Sequence, residues 1–72
     1  MNNIRTPFAK RIKEMREKNK LSQRELANEM KLSSGFIAMI ETGHKSVSMK
    51  VLIGFAQFFN VSTDFLLGLK DE

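Results

Sequence analysis

The 72-residue chain carries a formal net charge of +4, is 42% apolar and 28% charged, and has no cysteine. Such a length supports one domain, which buries only about 60% of the surface it would expose unfolded; disulfides and thiolate metal sites are excluded as supports. The longest apolar run, VLIGFAQFF, contains Gln57 and falls well short of the roughly 20 residues of a membrane helix, and the N-terminus lacks the apolar core of a secretory signal, so the reading is a cytoplasmic protein with no membrane partner.

No stretch alternates as a strand would; apolar residues recur at helical spacing between clear punctuation. Thr6 and Pro7 predict an N-cap followed by proline at the first helical position, where its missing N–H costs nothing. Phe8, Ile12 and Met15 then share one face, and Asn19, tolerant of left-handed backbone, ends the helix. SQRE, Ser22 to Glu25, is a capping box opening a second helix with Leu26, Ala27 and Met30 on its apolar side. Lys31 and Leu32 form a tight turn, Ser33 caps a third helix with Ile37 and Ile40 inward, and Gly43 ends it. After the loop HKSVS, a fourth helix begins near Ser48 and places Leu52, Phe55, Ala56 and Phe59 at core spacing until Asn60 stops it. Ser62 caps a last short helix that ends at Gly68.

Helices this short are not stable alone. The predicted fold is therefore all-α, a compact five-helix bundle with one shared core. That core is assigned to Phe8, Ile12, Met15, Leu21, Leu26, Ala27, Met30, Leu32, Ile37, Ile40, Leu52, Phe55, Phe59, Val61, Leu66 and Leu67. The chain divides into an arm (1–6), the bundle (7–69) and a tail (70–72), with no repeat, low-complexity tract or linker.

The charge is uneven. Residues 1–50 hold 11 of the 12 Lys and Arg and five of the eight acids, a net of +6; residues 51–72 hold one Lys and three acids, a net of −2. A cationic front on an apolar back suits a polyanion-binding surface; the alternative is that the lysines of the first helix are simply a solvated face. The chain has no Tyr, no Cys and one His, and shows no paired carboxylates, phosphate-cradling glycine loop or metal-ligand spacing. No enzymatic activity, cofactor or metal is expected.

The second and third helices are separated by very few residues, the spacing of a helix-turn-helix. LSQRELANEMKLSSGFIAMIETG (Leu21–Gly43), followed by VSMKVLIGFAQFFNVSTDFLLG (Val47–Gly68), resembles the lambda-repressor/Cro-type, or XRE-like, helix-turn-helix family. The opening LSQxELA, the turn and helix LSSGFIxxIExG, the LxxFA of the fourth helix and the closing NVSTDFLLG carry the resemblance, which spans roughly residues 8–69. It implies a bacterial or phage DNA-binding domain, usually dimeric, that regulates transcription, with the helix at about Ser33–Thr42 in the major groove.

The resemblance also assigns individual roles. Ser34, Gly35, Ala38 and Met39 match base-facing positions, Gln23 matches a phosphate-contacting and bracing glutamine, and Arg16 and Glu41 match an ion pair tying the first helix to the third. Two independent solvated charges are the alternative for that pair. At Lys31 the family often has glycine, because the turn favours a positive φ; lysine there would cost about 1 kcal/mol.

Phosphate-binding candidates are Gln23, Arg24, Ser33, His44, Lys45, Ser46, Ser48 and Lys50, with Arg5, Lys10 and Arg11 as further cations. The base-facing set lacks Gln, Asn, Arg and Lys, so it is expected to read shape and thymine methyls more than hydrogen-bond edges. Met39 could instead be partly core. Ile53, Phe58 and Phe65 are candidates for a homodimer interface near the corner of the fourth and fifth helices, unless the rings complete the core. The functional expectation is a homodimeric DNA-binding regulator, read as a repressor. An antitoxin or anti-regulator that acts on a protein partner is the alternative.

Overall fold

A computed structural model describes residues 5–71, with side chains from Pro7 onward. The described residues are all helical, without a strand: α1 (Arg5–Lys18), α2 (Gln23–Met30), α3 (Ser34–Glu41), α4 (Met49–Phe59) and α5 (Thr63–Leu66). α3 packs against both α1 and α2, and α5 packs against α1 and α4. The first helix starts earlier than its sequence punctuation predicts. Arg5 and Thr6 are already helical, so Thr6 is not the N-cap; residues 1–4 of the predicted arm lie outside the described residues. Pro7 still falls in the first turn, where no N–H is needed.

One three-residue joint is used three times. Lys20, Lys31 and Asn60 each take a left-handed conformation, with φ of 59°, 59° and 58°. An apolar residue follows each (Leu21, Leu32, Val61), and then a serine that caps the next helix. The backbone bonds are those of a Schellman motif: Leu21, Leu32 and Val61 donate to the carbonyls of Arg16, Ala27 and Ala56 at 3.1, 2.8 and 3.0 Å. Ser22, Ser33 and Ser62 then accept from the amides of Glu25, Phe36 and Phe65, each at 3.0 Å. The apolar residue also occupies the position before the cap, and Leu26, Ile37 and Leu66 stand five residues further on, all fully buried, in the arrangement of a hydrophobic staple. The same few residues thus close one helix, aim the next and bury its first turn. The left-handed residue of the first joint is Lys20, not Asn19, whose side chain instead donates to the Met15 carbonyl at 2.7 Å.

The core is centred on Phe55. Its ring meets Phe8 edge-on at 6.2 Å and lies parallel to Phe59 at 6.3 Å. Ile12, Leu26, Ile37, Ile40 and Leu66 complete its fully buried centre. Met15, Leu21, Met30, Leu32, Leu52, Val61 and Leu67, read from the sequence as core, are half-buried at its margin. Ala9 and Ala56 are also buried, and Phe36, Val47, Val51 and Phe65 add half-buried apolar surface that the sequence reading left out of the core. No described helix is long and apolar enough to cross a membrane.

Candidate nucleic-acid interface

The inner face of α3 is fixed by charge as well as by packing. The Arg16 guanidinium grips the Glu41 carboxylate in a fork, with Nε to Oε2 at 2.6 Å and Nη2 to Oε1 at 3.0 Å. Its Nη1 donates to the Leu21 carbonyl at 2.8 Å, tying the pair to the first joint. Gln23 Nε2 donates to Glu41 Oε1 at 3.1 Å, adding the start of α2. The arginine and glutamate side chains are only 12% and 3% exposed, so the pair is well shielded from water and salt. The Glu41 hydrogen bond raises the Arg16 pKa against a smaller opposing effect of burial. Stability from that shift is fully present below the ordinary arginine value and is lost only above it, outside the working pH range. Among the described residues no buried side-chain nitrogen or oxygen lacks a partner.

The outer face of α3 is the opposite. At about 100° per residue, Ser34, Gly35, Ala38, Met39 and Thr42 fall on one arc, away from the buried Ile37 and Ile40. Ser34, Gly35, Met39 and Thr42 are exposed, Ala38 is half-buried, and Met39 retains 45% of its surface. Thr42 Oγ1 donates to the Met39 carbonyl at 3.1 Å, and His44 Nδ1 lies 2.8 Å from Thr42 Oγ1. With the threonine hydrogen so engaged, Nδ1–H is the donor in that contact. Ser34 therefore holds the single uncommitted side-chain polar group on the arc. Thr42 was absent from the base-facing residues read from the sequence, although its i+4 spacing from Ala38 puts it on the same strip.

Polar and cationic residues precede and follow α3 in the chain. Arg24, Ser33, His44, Lys45, Ser46, Ser48 and Lys50 are exposed, and Gln23 is half-buried by its bond to Glu41. The Gln23 amide keeps a second N–H, and the capping hydroxyls of Ser33 and Ser48, which accept from Phe36 and Val51, keep O–H groups to donate. Lys50 and Lys31 line one recess with Met30, Leu32, Val51 and Gly54, which brings the start of α4 beside the α2–α3 joint. Lys31 takes the left-handed conformation at this joint, with φ 59° and ψ 42°, so the lysine keeps the geometry that a glycine would supply freely.

Two residues belong elsewhere. Arg11 is not a free cation of this face. Its Nη1 donates to the carbonyls of Phe65 and Lys70, both at 3.1 Å, and its guanidinium lies 4.2 Å from the Phe65 ring centroid. Phe65 is correspondingly half-buried in the α1–α5 seam instead of joining an exposed patch with Ile53 and Phe58. Those two remain on the surface of α4, 43% and 38% exposed, with Phe58 edge-on to Phe59 at 5.1 Å. Among the described residues no group of three His, Asp or Glu side chains could hold a metal ion.

A helix-turn-helix family model (HTH_3) matches residues 12–66. The chain belongs to the lambda-repressor-type (XRE-like) helix-turn-helix family. It is 35% identical over 65 residues to the HTH-type transcriptional regulator ImmR of Bacillus subtilis (strain 168), a match covering 90% of this chain and 50% of that protein. It is 26% identical over 65 residues to the uncharacterized HTH-type transcriptional regulator YobD of the same organism, covering 90% and 58%. The chain thus spans about half the length of the curated relatives it matches. Two crystal structures of the clp gene regulator ClgR from Corynebacterium glutamicum share the fold. Their TM-scores are 0.83 and 0.81 at 24% and 23% identity, covering 94% and 96% of this chain and 72% and 90% of theirs. The helix-turn-helix of this family member is α2, the Lys31–Ser33 joint and α3.

Proposed function

We propose that this protein binds double-stranded DNA in a sequence-dependent manner as a homodimeric transcriptional regulator, acting as a repressor in the cytoplasm, with α3 in the major groove. The observation that carries the reading is the division of α3 into a face locked by Arg16, Gln23 and Glu41 and a face left exposed, with exposed cations before and after the helix in the chain. Arg24, His44, Lys45 and Lys50, with Gln23, Ser33, Ser46 and Ser48, contact phosphates and set the register. Ser34 supplies a hydroxyl to a base edge, and Ala38 and Met39 pack against thymine methyls. Where direct contacts are so few, groove width and flexibility supply part of the discrimination.

Two copies related by a twofold axis would read half-sites about 34–36 Å apart. Ile53 and Phe58, exposed on α4 as Met49 also is, are the candidates for that contact, and Phe65, half-buried beside Arg11, offers it less surface. The test is selection of bound sequences from random duplex DNA, followed by titration across salt. Palindromic, thymine-containing sites whose affinity falls steeply between about 50 and 200 mM salt are the expected result; binding that ignores salt, or no duplex retained, overturns the reading. The exposed Ile53 and Phe58 also favour one second reading, an anti-regulator that holds a protein partner, whose apolar contact would be insensitive to salt in the same experiment.

A further inference from the structure

Three of the four glycines have an internal reason to be glycine. Gly43 and Gly68 sit at φ +80°, and a Cβ on Gly68 would stand 2.6 Å from Pro7 Cβ. A Cβ on Gly54 would stand 3.1 Å from the Met30 methyl. Gly35 has no such reason. It is the second residue of α3, its φ is not positive, and, its chain neighbours and the nearby α3 backbone aside, no atom of the described residues lies within 4 Å of the place its Cβ would take. Alanine would fit there, touch nothing and favour the helix.

Gly35 also lies in the middle of the outward arc, between Ser34 and Ala38 on one side and Met39 on the other. First-turn amides have no carbonyl behind them, and a residue without a side chain leaves its own amide and Cα open to close approach. A thymine C5-methyl is the size of the missing Cβ, and the two would compete for the same space.

We propose that Gly35 is a specificity-determining residue of the DNA interface: its bare Cα is a notch that receives a thymine methyl against the α3 backbone. This rests on the DNA-binding reading above. It adds that the glycine is kept for the ligand and that one operator thymine is read by the absence of a side chain.

The test compares the full chain with its Gly35→Ala variant on a duplex selected by the unaltered protein, with uracil placed at each thymine in turn. The variant is expected to melt about 2–4 °C higher yet to bind the thymine duplex about tenfold more weakly. Uracil at one position should weaken the unaltered protein and restore most of the variant's loss. A variant that binds the thymine duplex within twofold of the unaltered protein overturns the proposal, as does a lowered melting temperature, which would reveal an internal role for the glycine. A loss that no uracil restores overturns the thymine assignment. Failure of the unaltered chain to retain any duplex at low salt is a separate result and overturns the DNA reading itself.

Discussion

Along α3, Ile37 and Ile40 are fully buried and the Glu41 carboxylate is nearly so, whereas Ser34, Gly35 and Met39 on the same helix are exposed. On the inner face the protein supplies what the helix needs: Phe55 and its neighbours for the isoleucines, Arg16 and Gln23 for the carboxylate. On the outer face nothing supplies it, and the residues are small or apolar. The contrast separates two kinds of constraint. Substitution inside α3 should be read as unfolding, and substitution outside it as altered recognition with the fold intact.

The largest effect that would break this division is at Ile40. Ile40→Ala should cost about 4 kcal/mol, a large share of the stability of a domain this size, seen as a fall in the urea midpoint at unchanged slope. Glu41→Ala should follow at about 3 kcal/mol, because it leaves the Arg16 charge shielded from water without its partner. The double variant Arg16→Met, Glu41→Leu should recover much of that loss, and a double variant as unstable as the sum of its parts would show the pair to be independent charges after all.

Lys31→Gly should instead stabilise by about 1 kcal/mol, because the left-handed residue is a lysine; Asn60→Gly, at the same geometry, should gain less than about 0.5 kcal/mol. Equal gains would mean that lysine is no more strained than asparagine in this conformation. The smallest expected change in stability is at Met39. Met39→Ala should stay within about 0.5 kcal/mol of the parent in denaturation while weakening DNA binding by about 1 kcal/mol in an anisotropy titration. A Met39 variant that unfolds would move this residue to the inner face.

The helix ends were legible before any coordinates. Ser22, Ser33, Ser48 and Ser62 cap as their positions predict, because capping joins residues three apart and needs no distant partner. The start of α1 and the left-handed Lys20 were not. Proline is compatible with several first-turn positions, and nothing in the composition of Asn19-Lys20 says which of the two must take the positive φ. For the site, the spacing of Ile37 and Ile40 already implied which face of α3 turns outward. The Arg16–Glu41 pair was reached only through family resemblance, and the partners of Arg11 were missed. These contacts join residues 25 and at least 54 positions apart, and no local pattern records them. Phe65 was left between interface and core for the same reason: its place beside the Arg11 guanidinium joins segments far apart in the chain.

By itself, then, the amino-acid order determined where each helix begins and ends, apart from the start of α1 and the residue that turns left-handed after that helix, and which side of α3 is apolar, since both depend on interactions within one turn of chain. Tertiary structure alone decided that the Glu41 carboxylate is nearly buried yet fully paired, that Arg11 and Phe65 close the α1–α5 seam, and that no distant segment among the described residues packs over Gly35. Burial, pairing and vacancy are properties of what distant segments bring together, and they exist only once the chain has packed.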